Sequence, residues 1–238
     1  MKSIGRWKLA QRIEVGVYPP KTSYTEEEAE QVQRRLSGEI TNWESYVEER
    51  TGVKPADMRT MCVMEIGGVL FADQLLFQSK ALHKLILDPL IRPRMSDDCE
   101  FVRGVAEYIP QKSSTLRVCW MTNTIDHCAD PLLALEEVRR VLTDNGRLYI
   151  TCNTFTSWTR PLFPAFDRLD GPHPHHFTRS SLLSLLTKAG FTVEAEIPPW
   201  TPPLRGWNQT VRTVKVLLGR MCGLTQIKFR CRVAKSSS

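Results

Sequence analysis

Glu65-Ile66-Gly67-Gly68 closes the apolar run Cys62-Val63-Met64, and Gly67 stands 21 positions ahead of the acid in Leu85-Ile86-Leu87-Asp88-Pro89. A strand that ends in small residues lets the backbone and the next helix's N-terminus approach a ligand, and an acid after the following strand can bind ribose hydroxyls. The chemistry these residues suggest is therefore the holding of a nucleotide cofactor. The glycine pair is weak evidence by itself, because a tight turn needs glycine for conformational reasons and binds nothing.

The elements that must position these residues follow from periodicity. Short β-rich runs at Cys62 to Ile66, Lys84 to Leu87, Glu100 to Val105, Leu116 to Met121 and Leu148 to Cys152 alternate with helical stretches, the beat of a parallel sheet. Between the last two, Leu132, Leu135, Val138 and Leu142 fall at core spacing on a helix from Pro131 to Leu142, with proline suited to its first turn. Asn145-Gly146 then predicts a turn. Thr178 is the expected N-cap of a helix from Ser180 to Ala189, Gly190 ends it, and Phe191 to Ile197 and Gln226 to Val233 read as further strands, the last at an edge.

Outside this core, residues 1–22 lack sustained periodicity and read as an arm. Thr25 and Glu28 have capping-box spacing, and Ile40, Trp43, Tyr46 and Val47 share a helical face before Thr51-Gly52, so two helices are expected ahead of the first strand. The expected division is thus an N-terminal arm and helices over 1–55 and an α/β domain over 56–238. The segment 198–210 holds four prolines and reads as a covering loop.

With 42% hydrophobic and 24% charged residues over 238 positions, the chain fits one globular α/β domain and excludes wholesale disorder. Its net charge is +6, and Arg205 to Lys235 is rich in Lys and Arg. Without a nucleic-acid module, a solvated basic face or an anionic substrate explains this better than RNA or DNA. Seven cysteines form no CxxC pair, and Cys62, Cys119 and Cys152 lie in strand-like runs, which predicts buried free thiols in a reducing compartment. No stretch is long and apolar enough to span a bilayer, and the expected location is cytoplasmic. His173, His175 and His176 have no cysteine or acid at ligand spacing, so no metal is expected.

Thr122-Asn123-Thr124-Ile125-Asp126-His127-Cys128-Ala129-Asp130-Pro131, the helix Leu132 to Leu142 with its Glu137-x-x-Arg140-Val141-Leu142 pattern, and the turn Thr143-Asp144-Asn145-Gly146 resemble class I S-adenosylmethionine-dependent methyltransferases. Glu65-Ile66-Gly67-Gly68, Asp88, Gly104-Val105-Ala106-Glu107-Tyr108-Ile109-Pro110 and His173-Pro174-His175-His176-Phe177-Thr178 match the same family in order, so the similarity runs over about 62–195. Two departures stand out: Val69-Leu70-Phe71-Ala72-Asp73 replaces the later loop glycines, and Val105 stands where an acid is usual.

The resemblance implies a Rossmann-like methyltransferase fold, α/β, with a mostly parallel seven-stranded sheet and helices on both faces. It implies S-adenosyl-L-methionine as cofactor, held by Glu65, Gly67, Gly68, Asp88, Ala106, Glu107 and Asn123. His127 and His176 are its catalytic candidates, since an imidazole near the methyl group could take a proton from the acceptor. A small-molecule acceptor is the expected substrate. The departures in the loop keep open an inactive methyltransferase-fold binding or scaffold protein, and the basic C-terminal third keeps open an RNA methyltransferase.

Overall fold

A computed structural model describes residues 43–54, 56–67, 83–89, 99–169, 173–197 and 223–234. The arm 1–22, the helix expected near Thr25, Gly68 and the proline-rich insert 198–210 lie outside the described residues.

The strands are β1 (Cys62–Ile66), β2 (His83–Asp88), β3 (Cys99–Arg103), β4 (Leu116–Thr122), β5 (Leu142–Phe155), β6 (Phe177–Thr178), β7 (Phe191–Glu196) and β8 (Thr225–Val233). They form one sheet in the order β3-β2-β1-β4-β5-β8-β7, with the two-residue β6 pairing with β5 off this path. β1 to β5 run parallel, and β8 lies antiparallel between β5 and β7. This is the expected Rossmann-like fold with one short strand added. The order reverses between β1 and β4, which makes their C-terminal ends a topological switch point where such sheets bind ligands.

Alternation of side chains assigns each strand residue to one face of the sheet. Met64, Ile66, Leu85, Leu87, Cys119, Met121, Leu148 and Ile150 form one core with Ala134, Leu135 and Val138 of α2 (Pro131–Val141) and Leu182 and Leu186 of α4 (Arg179–Lys188). Val63, Ile86, Val118, Trp120 and Tyr149 form the other with Val47 of α1 (Trp43–Thr51). α3 (Phe163–Leu169) follows the end of β5. The central strands are buried on both faces, as a parallel sheet requires.

Local chemistry sets the helix starts where expected. Asp130 caps α2 by accepting from the Leu132 and Leu133 amides, with Pro131 in the first turn. Thr178 caps α4 in a reciprocal capping box with Ser181. The turn expected at Asn145-Gly146 is instead a bulge inside β5: Leu116 pairs with Leu142 and Val118 with Arg147, so residues 143–146 face Arg117 alone. Gly146 permits the close approach there, since a Cβ on it would lie 2.8 Å from the Thr143 carbonyl oxygen. The predicted β3 also stops earlier, at Arg103, and leaves Gly104 and Val105 in the loop that follows.

Among the described residues, Cys119, Cys128, Cys152 and Cys231 are buried free thiols and Cys62 is half-buried. Burial pushes the Cys231 thiol up to about 12, so it is not a nucleophile near neutral pH. No helix among the described residues is long and apolar enough to cross a membrane.

Candidate functional site

The C-terminal ends of β2, β1 and β4 lie side by side, with Ile66 level with Leu87 on one side and Met121 on the other. Gly67, the next residue after β1, continues the ladder by donating its amide to the Leu87 carbonyl at 2.8 Å. Its φ is +72°, and a Cβ built on it would lie 2.3 Å from the Thr124 side chain. Only glycine tolerates both conditions. The Thr124 hydroxyl donates to the Ile66 carbonyl at 3.0 Å, which ties the end of β4 to the end of β1 across the switch point.

Asp88 ends β2 and is 3% exposed, and its carbonyl accepts from the Gly104 amide at 3.1 Å. The acid therefore sits beside the start of the 104–110 loop. Glu65 is buried within β1 on the face covered by α1. Burial raises the Tyr46 phenol of α1 above its ordinary value against the opposing Arg50 guanidinium, and the nearby Glu65 charge adds a smaller upward push.

Asn123 adopts a left-handed conformation, φ +48°, which asparagine accommodates better than most side chains. Its side-chain oxygen accepts from the Gln226 amide of β8 at 3.3 Å, and its backbone amide donates to Thr151 of β5. Asn123 is thus fixed at the end of β4 by β5 through its backbone and by β8, one strand farther along the sheet, through its side chain.

The 104–110 loop is held from beneath. Glu107 is buried, and one of its carboxylate oxygens accepts from the backbone amides of Ala129 at 2.6 Å and Asp130 at 3.1 Å. Glu107, expected at the adenine, holds the segment that leads into α2, a role that depends on a contact 22 residues away. Ala106 is buried in the core beside it. The Glu137-x-x-Arg140 pattern closes the other end of the loop: Glu137 accepts from the Ile109 amide, and Arg140 donates to the Ile109 and Gln111 carbonyls while paired with Glu137 at 2.6 Å. That ion pair, and less strongly the Ile109 amide, holds the Glu137 carboxyl below its usual range against a partial burial that opposes it.

The two histidine candidates lie in different surroundings. His127 ends the 3-10 turn Ile125–His127, and its ring centroid is 4.6 Å from that of His173. His176 is set among Phe155, Phe163 and Phe166, with centroids 5.7, 5.8 and 5.7 Å away. The structure brings His127 to His173 and Asp126, a trio hidden in the sequence because 46 positions separate His127 from His173. Only the arrangement of the sheet places Thr124 beside Gly67 and Gln226 beside Asn123.

The donor set fits a nucleoside-bearing cofactor: a bend open only to glycine at the end of β1, a buried acid at the end of β2, and a fixed amide at the end of β4. Residues 78–150 match a family model described as a methyltransferase domain. No curated protein matches the chain by sequence. Among solved structures, geranyl diphosphate C-methyltransferase from Streptomyces coelicolor A3(2), in complex with Mg2+, geranyl diphosphate and S-adenosyl-L-homocysteine, is similar with a TM-score of 0.65 and 9% identity, covering 90% of this chain and 86% of that one. A SAM-dependent methyltransferase from Aquifex aeolicus gives a TM-score of 0.54 at 14% identity over 89% of this chain and 100% of its own. One from Mesorhizobium loti gives 0.54 at 12% identity over 74% of this chain and 92% of its own. At these identities the likenesses speak for the fold. Residues 78–150 thus resemble a methyltransferase domain, and the chain has the Rossmann-like fold of the class I S-adenosylmethionine-dependent methyltransferases.

Proposed function

We propose that this chain is a methyltransferase that uses S-adenosyl-L-methionine and acts on a small-molecule acceptor. The observation that carries the reading is the convergence of Gly67, Asp88 and Asn123 at three adjacent strand ends on either side of the switch point. In this reading Asp88 accepts the ribose hydroxyls, Gly67 and Gly68 admit the methionine part, and Asn123 and Glu65 border it. Ala106 backs the adenine, while Glu107 acts by holding the 104–110 loop in place.

When bound, the cofactor supplies an electrophilic methyl on a sulfonium, and the leaving group loses its positive charge. The chain's own contribution is chiefly placement of the acceptor, worth roughly 7 to 11 kcal/mol when the geometry is good. A base contributes less, on the order of a hundred- to ten-thousandfold. His127 is the favoured candidate for that role, since it ends the 3-10 turn that follows β4 and lies beside another imidazole. His176, enclosed by three phenylalanines, shapes the same end of the sheet. Support for a small acceptor comes from the neighbour that binds geranyl diphosphate.

Isothermal titration of the purified chain with S-adenosyl-L-methionine and S-adenosyl-L-homocysteine tests the reading. Saturable one-to-one binding is expected. No binding at millimolar ligand would leave a fold used for interaction rather than transfer.

A further inference from the structure

We propose that Asp126, His127 and His173 form a binding site for a divalent transition ion of the zinc class, with a coordination position left open for an outside donor. One ligand atom from each residue lies within 4.8 Å of the others. Three points no farther apart than that always leave a position within about 2.8 Å of all three, so shifts under about 1 Å bring each donor to the 2.0 to 2.2 Å of zinc–nitrogen and zinc–oxygen bonds. Two imidazole nitrogens and one carboxylate oxygen are the donor set that three-ligand sites use for such ions, and they do not select magnesium or calcium.

A second observation points the same way. Asp126 is 3% exposed, and its Oδ1 is buried with no hydrogen-bond partner among the described residues. Its other oxygen is 3.9 Å from His173 Nε2, too long for a hydrogen bond. A buried carboxylate held so loosely is costly unless a cation compensates it. The donors are also held in place by backbone contacts that need no ion. The His127 amide donates to the Thr124 carbonyl at 3.0 Å, closing the 3-10 turn, and the His175 amide donates to the Asp126 carbonyl at 3.3 Å, which fastens the 173–178 segment to that turn.

Cofactor binding does not depend on the ion, so the zinc and the cofactor titrations test separate claims. Where the ion is bound, His127 serves as its ligand in place of the role of base given above, and the open position would take an oxygen or nitrogen donor of the acceptor.

The test uses the full chain, free of any histidine tag and of added cofactor, titrated with zinc chloride by calorimetry and with cobalt(II) followed by visible absorption. One equivalent of zinc is expected to bind at micromolar concentration or tighter, and cobalt to give the d–d bands of a low-coordinate nitrogen and oxygen site. His173→Ala and the isosteric Asp126→Asn, each checked for folding by circular dichroism, should weaken zinc binding by more than the roughly tenfold to hundredfold caused by losing a supporting partner of a metal ligand. Absence of stoichiometric zinc binding by the parent chain would overturn the proposal. So would a thiolate-to-cobalt charge-transfer band, which would put the ion on a cysteine, or undiminished affinity in a folded variant.

Discussion

The Cβ that Gly67 lacks would lie 2.3 Å from the Thr124 side chain, so the end of β1 and the end of β4 meet through a contact that a methyl group would occupy. Gly67→Ala must adopt a φ near +72° as well as displace Thr124. The left-handed backbone and the overlap together should cost roughly 2 to 4 kcal/mol, read as a lower thermal midpoint. Pairing it with Thr124→Ala should relieve part of the overlap, since the Thr124 Cβ would still lie 2.9 Å away, but not the backbone strain. Full recovery would show that φ at this position is unimportant.

Asp88→Ala removes the buried acid at the end of β2. Affinity for S-adenosyl-L-homocysteine should fall by about 1.5 to 3 kcal/mol, the range for hydrogen bonds to a charged group. Calorimetry checks this, and unchanged affinity would rule Asp88 out as the ribose ligand.

Glu137 and Arg140 clamp the 109–111 loop through one ion pair and three hydrogen bonds to its backbone. Glu137→Gln should destabilise the fold by about 1 to 2 kcal/mol at neutral pH. Because the folded-state carboxyl titrates below its usual range, this stabilisation is present above the unfolded value of about 4.3 and is lost as pH falls through the folded one. Thermal midpoints of parent and variant should therefore converge as the pH is lowered below about 4. A gap that persists in acid would mean that charge plays no part.

Lys228 is buried in β8, and burial, with the Arg50 charge adding to it, lowers its ammonium to about 8. Between that value and the unfolded value of about 10.4, the unfolded chain binds a proton that the native state has released, so stability from this group rises with pH across the window. Lys228→Met should remove the rise and stabilise the fold at pH 7 by about 1 to 2 kcal/mol. Urea titrations at three pH values would show it; a variant less stable at neutral pH would contradict it.

His176 touches three phenylalanine rings. His176→Ala should lower stability by roughly 1 to 3 kcal/mol, while His176→Phe should retain most of it. Methyl transfer retained by His176→Phe and by the parent chain in a chelator, but lost in His127→Ala, would assign any proton transfer to His127.

The sequence by itself determined the elements whose signals are local. Asp130 and Thr178 lie within three residues of the amides they cap, Leu135 and Val138 carry the helical spacing, and the bounds of these two helices fall within a residue of expectation. The glycine at 67 and the acid at 88 were legible because their roles follow from being at strand ends. Tertiary structure decided the contacts that cross the sheet: Glu107 on the amides of 129 and 130, Asn123 against Gln226, and Asp126 with His127 beside His173. Each joins segments 22 to 103 positions apart, measured for Glu107 and Asn123. Such pairs depend on strand order and register, which arise when the whole core is buried at once and leave no local trace in the chain.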